Sequence, residues 1–278
     1  MRQLPQNLIR ALICLGTLSI SSIGSSVEVQ PWFGDVYEFH YTESYAFSRF
    51  NTVQGGTPQL TSPFNSNLIY TSLEFCPSSD WSVDGDVQLA DTTAMPFNFR
   101  SAALQLRYLW YDDIVGNPVT LNTGINCRVT NESSLHDISC PSHANVDFEL
   151  NFALGREFDP SDVWRWRLWC YGALGQANRG SPWVRAVAAI ETNINEKHKW
   201  GVFAIGSNGY GRHPHVSTDA FNGYAKIRQK SIDLALRYGY KIGVWGTLRV
   251  EYQRRVMAKA CPQNVNSFIF SYLLPFSL

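Results

Sequence analysis

Ile232-Asp233-Leu234-Ala235-Leu236-Arg237-Tyr238-Gly239-Tyr240 alternates strictly: every even position is apolar or aromatic, and the odd ones hold Asp, Ala, Arg and Gly. A short turn at Lys241-Ile242-Gly243 follows. Val244, Gly246, Leu248, Val250 and Tyr252 then alternate with Trp245, Thr247, Arg249, Glu251 and Gln253. From Asn266 to Leu278 the even face carries Phe268, Phe270, Tyr272, Leu274 and Phe276. Side chains on a strand point to opposite faces in turn, so a period of two means one apolar and one polar face. Here the polar face carries both signs of charge in mid-strand, while the apolar face is aromatic almost to the last residue. A soluble sandwich hides its apolar face; a membrane barrel turns that face to lipid and wets its interior. The stretch therefore reads as all-β, part of an antiparallel up-and-down transmembrane barrel of about twelve strands.

The pattern extends backwards through the chain. Tyr37, Phe39, Tyr41, Tyr45 and Phe47 alternate with Glu38, His40 and Thr42 in the first strand, where Glu43 breaks the apolar row. Further strands follow at 68–76, 81–89, 102–111, 119–128, 146–155, 164–174, 183–192 and 199–207, the last with an ambiguous phase. Tyr224 to Tyr240 gives the tenth. With apolar faces outward, the interior receives Glu38, Asp84, Asp86, Arg107, Arg128, Asp147, Glu149, Arg165, Arg167, Arg185, Asp233, Arg237, Arg249 and Glu251. These are the expected pore-lining residues. Arg165, Arg167 and Arg185 form a basic wall, and the third and sixth strands offer acids. Such a field orients and filters small polar solutes in a wet passage; in a narrow barrel the same charges pair and close it.

The connections sort by parity. Long polar ones follow the first, fifth and ninth strands (51–67, 130–145 and 208–223), and the even connections are all short. Outer-membrane barrels place long loops outside the cell and short turns in the periplasm. A Greek-key sandwich has no reason to sort loops this way.

Composition agrees. Lysine plus arginine and aspartate plus glutamate both number 23, so no charge excess suggests a nucleic-acid partner. Charged residues make up 17%, against roughly 25% in soluble domains, with 9 Trp and 13 Tyr. Arg2 and Arg10, the apolar run Ala11 to Ile20 and the small residues Ser21 to Ser26 read as a secretory signal over residues 1–26, leaving residues 27–278 as the barrel. An uncleaved N-terminal anchor is the alternative. Of the five later cysteines, Cys127 and Cys140 flank one connection and are the expected disulfide pair. No Cys-x-x-Cys spacing suggests zinc, and no cofactor or metal is expected.

Signal, about twelve alternating strands, parity-sorted loops and an aromatic-ended last strand together resemble a bacterial outer-membrane β-barrel, porin-like, over essentially all of residues 27–278. The cysteines are similar to those of the chlamydial cysteine-containing envelope barrels. The resemblance implies outer-membrane lipid and the barrel-assembly machinery as partners, and passage of small polar solutes. The chain departs from it at the end, where Ser277-Leu278 follow Phe276 and Pro275 stands in the strand. A phospholipase is a rival of another class: Ser207, His213, His215, Ser217 and Asp219 share one loop. Their spacing fixes no base against a nucleophile, so no enzyme is expected. A plugged structural barrel and a loop-borne binder using Tyr210, His213 and Phe221 also stay open, as does a soluble sandwich or lectin.

Overall fold

The computed structural model describes residues 29–161 and 163–277; the expected signal segment lies outside them. Its body is β1 (Glu38–Phe50), β2 (Phe64–Ser78), β3 (Trp81–Thr92), β4 (Asn98–Tyr111), β5 (Thr120–Thr130), β6 (Val146–Ser161), β7 (Trp164–Ala177), β8 (Trp183–Ile194), β9 (His198–Gly209), β10 (Lys230–Lys241), β11 (Thr247–Lys259) and β12 (Asn266–Ser277). Each strand pairs antiparallel with its sequence neighbours, and β1 pairs with both β2 and β12, closing a twelve-strand barrel.

Register confirms the facing. Leu106, Ile125, Leu150 and Leu174 are successive cross-strand partners and are 36%, 57%, 63% and 56% exposed. The neighbouring row Asp84, Gln105, Asn126 and Glu149 is buried throughout. The apolar face therefore points out and the polar face points in. Near the short turns the outer wall carries aromatic pairs: Trp81 with Tyr108 (4.9 Å between centroids), Tyr108 with Trp110 (4.7 Å) and Trp200 with Tyr238 (4.6 Å). Their apolar bodies and polar tips suit a membrane–water boundary.

Several strand ends differ from expectation. β6 continues through Pro160 to Ser161, where a turn was expected, because the irregularity between Phe158 and Ser161 accommodates the proline. β11 starts at Thr247, not Val244, since Gly243–Trp245 forms a 3₁₀ turn flanked by Gly246 at φ 98°. Pro275 lies beyond the last β11–β12 pair, Thr247 with Leu273, and pairs only with His40 of β1. Its missing N–H thus falls where β12 has a single neighbour.

The long connections pair with one another and share a buried core. Thr52–Val53 pairs with Pro262–Gln263, and Val216–Ser217 pairs with Gly56–Thr57. Phe50, Val53, Phe64, Ile138, Val216, Phe221, Tyr224, Ile227, Cys261 and Val265 make one buried cluster. Segment 221–227, expected in strand and loop, belongs to this cap, so β10 begins only at Lys230. Phe221, expected to be exposed for binding, is 3% exposed.

Candidate functional site: the barrel lumen

All fourteen charged residues read from the sequence sit on inward-facing strand positions, and most are in ion pairs. Arg128 meets Asp86 at 2.7 Å, Arg185 meets Glu149 at 2.8 Å and Arg237 meets Glu251 at 2.7 Å. Asp233 is held by Arg255 at 2.7 Å, and Arg107 pairs with Glu74. Arg165 and Arg167 share Glu157 at 3.3 and 2.6 Å. Glu38 takes the His40 ring at 3.0 Å, and Asp147 receives the backbone N–H groups of His143 and Ala144. Asp84 is buried, and Arg249 lines two of the cavities described below.

Sequence reading missed the partners Glu74, Glu157 and Arg255. Glu74 and Arg255 continue the inward parity of β2 and β11, so alternation alone could have placed them. Glu157 was lost with the misplaced end of β6.

The lumen is not uniformly polar. Ala153, Trp169, Tyr171, Ala173, Ala189, Phe203 and Ala235 form an inward apolar patch across β6–β10, with Val187 and Ile205 beside it. Tyr171 donates its hydroxyl to Glu149, and Arg185 in turn donates to Tyr171 at 2.9 Å. This binds the patch to the Glu149 pair.

A second surprise covers that patch. Residues 29–35 run from within the barrel, at Val29, out to the turn end, where the Asp35 N–H meets Glu38. Trp32 packs in the patch with Val29 against it, and Trp32 is 8% exposed. Arg107 donates to the Gln30 carbonyl at 3.0 Å, and Asn122 donates to the Pro31 carbonyl at 2.7 Å. The Trp32 indole donates to Asp113 at 2.9 Å, and the Arg167 guanidinium lies 4.6 Å from the Trp32 ring. From the sequence, Glu28 to Asp35 reads only as a short leader before the first strand.

Three cavities lie along the barrel. The one at the capped end is bounded by His143, Trp183, Tyr224 and Arg185. The middle one is bounded by Arg185, Phe203, Gln30, Arg237 and Arg249. The third, about 270 Å³, lies at the turn end and is bounded by Arg165, Arg167, Lys199, Arg237, Lys241 and Arg249, with Glu191 and Glu196 opposing them. Arg185 borders the first two, while Gln30, Arg237 and Arg249 border the last two.

The expected Cys127–Cys140 disulfide is absent, and both thiols are free. Cys127 pairs with Leu104 and Phe148 on the outward row of β5, whereas Cys140 is buried beside the inward-turned Arg100. In the loop after β9, His213 and His215 are exposed, and the Ser217 hydroxyl accepts the Ala220 N–H. Among the described residues, no group of His, Cys, Asp or Glu side chains converges to hold a metal.

No protein-family model matches the chain, and neither does any curated protein. Solved structures do. An outer membrane channel from Pseudomonas putida F1 superposes with a TM-score of 0.58 at 9% identity, covering 91% of this chain and 100% of that one. The NanC porin gives 0.55 at 9% identity, covering 85% and 98%. At such identity the likeness is one of fold. The chain is a closed twelve-strand antiparallel β-barrel that shares the fold of those two outer-membrane proteins.

Proposed function

We propose that this barrel sits in the bacterial outer membrane and is a passive channel for small polar solutes, anions in preference to cations. The vestibule at the turn end carries this reading. Six cationic side chains and two acids bound it, and Glu157, Asp159 and Glu251 pair with Arg165, Arg167 and Arg237 from outside its wall. A low-dielectric wall focuses that field on the solute. Leucine and phenylalanine rows outside match a lipid solvent, and the exported chain would meet the barrel-assembly machinery through its β12 end.

The test is single-channel conductance of the detergent-purified protein in a planar bilayer. Discrete steps with anion selectivity are expected. Arg165→Ala with Arg167→Ala removes two cations and strips Glu157 of both partners, so selectivity shifts toward cations. Unchanged selectivity would take the vestibule off the path, and a folded, heat-modifiable but silent barrel would sink the channel reading. A second reading, a plugged structural barrel, draws support from the cap and from the leader in the lumen. We read neither reading as catalytic, since the exposed His213 and His215 are not set against an activated hydroxyl.

A further inference from the structure

We propose that the lumen floor is a binding site for a Pro-Trp peptide segment bent at the proline, that residues 29–34 are its resident ligand, and that their release opens the passage. The gating half rests on the channel reading; the binding half does not.

The segment behaves as a ligand rather than as part of the wall. It contributes no strand to the barrel, and it is held by contacts to β2, β4, β5, β6, β7 and β8 and to the connection after β4. Two buried donors, from Arg107 and Asn122, read successive backbone carbonyls, of Gln30 and Pro31. Bonds to backbone carbonyls hold a peptide whatever its side chains. Side-chain selection comes at Trp32, where Asp113 accepts the indole N–H and Arg167 covers the ring. Gln30 adds a hydrogen bond of 3.3 Å to Glu191, and Arg107 lies 4.9 Å from the Phe33 ring.

The receptor is shaped for the segment. Gly155 is an inward position on β6, and a Cβ there would meet Pro31 at 2.5 Å and Trp32 at 2.8 Å. A side chain at residue 155 would collide with the proline ring and the indole of the segment. Asp113 is itself fixed, since it accepts from Thr120 and from the Glu157 N–H. Occupancy also bears on transport. Gln30 borders both the middle and turn-end cavities, so the segment lies between them. Arg107 and Arg167, which hold the segment, are two of the charged residues of the lumen.

The test compares the full protein, a variant lacking residues 29–34, and full-length Trp32→Ala, each checked for heat-modifiability. The deletion variant is expected to conduct several-fold more, and Trp32→Ala to spend more time in that larger state. A synthetic Val-Gln-Pro-Trp-Phe-Gly peptide added on the turn side should block the deletion variant in a dose-dependent way. The same peptide with Ala for Trp should not. Binding of the labelled peptide to the detergent-solubilised deletion variant is measured by fluorescence anisotropy, which needs no current. Gly155→Val in the deletion variant should abolish that binding. Equal conductance of the intact and deleted proteins would overturn the gate. Failure of the peptide to bind the folded deletion variant would overturn the site. Peptide binding by a barrel that is silent in every form would keep the site and remove the channel reading and the gate with it.

Discussion

His143 shows how one residue carries the state of the cap. Its ring is buried, stacked 4.8 Å from Trp183, and hydrogen-bonded to the Gln229 amide at 3.1 Å. The amide N–H donates, so the ring nitrogen must be neutral. Burial pushes its pKa from 6.5 down to about 3. An opened cap returns the ring to water, so between those values the open form binds more protons and cap stability rises with pH. The contribution is complete above about 6.5 and is lost as pH falls toward about 3. Hydrogen exchange across 131–145 and 221–229, corrected for intrinsic rates, should therefore speed up on acidification, and His143→Gln should flatten that response. An unaltered response would assign acid sensitivity to another group. Little of this was legible beforehand. The residue stands in a polar stretch, and only the fold brings Trp183 and Gln229 against it. The inward charges were legible, because parity alone places Asp86, Glu149 or Arg237 on the polar row. Their pairing was not, since it depends on which strands adjoin and how their registers climb.

At the scale of the strand, the two faces answer to different solvents. Leu150 on β6 projects outward beside Ile125 and Leu174. Leu150→Arg places a charge in hydrocarbon, a cost of about 2–4 kcal/mol near the bilayer midplane and much less near its surfaces. Asn151, one residue on, points inward, so Asn151→Ser should cost far less. Reversible urea unfolding in lipid vesicles measures both. Similar losses from the two substitutions would contradict the assigned facing. Strand existence was legible throughout because a polar inner face and an apolar outer face force alternation. β9 was the exception in phase, for a physical reason: its inward residues Phe203 and Ile205 pack in the patch that holds Trp169 and the leader's Val29, and its outward Val202 belongs to the exposed apolar face. With both faces apolar the period-two signal disappears.

Taken as a whole, the barrel is covered by a cap at one end and occupied by the leader toward the other, and each comes from a segment that looked like punctuation in the sequence; in the proposed channel both are constrictions. Gly, Pro, Ser and Asn between the strands signalled loops, and their composition hid that Phe221, Tyr224, Val216 and Val53 would meet only after the barrel had closed. The same closure brings residues 29–35 to the other end. Two constrictions along one path add as resistances, so opening either leaves the other to limit current. Phe221→Ala removes a buried ring from the cap cluster without touching a barrel strand. Alone it should raise conductance modestly; alone, deletion of residues 29–34 leaves the cap in series. Together they should raise conductance by more than the sum of the two separate gains, while the reciprocals of conductance stay additive. Four proteins recorded in one bilayer system give that cycle. If the cap variant by itself matches the double variant, the leader lies beside the current path. If gains add in conductance instead of resistance, the two openings act in parallel, and solutes cross by separate routes rather than through one axial channel.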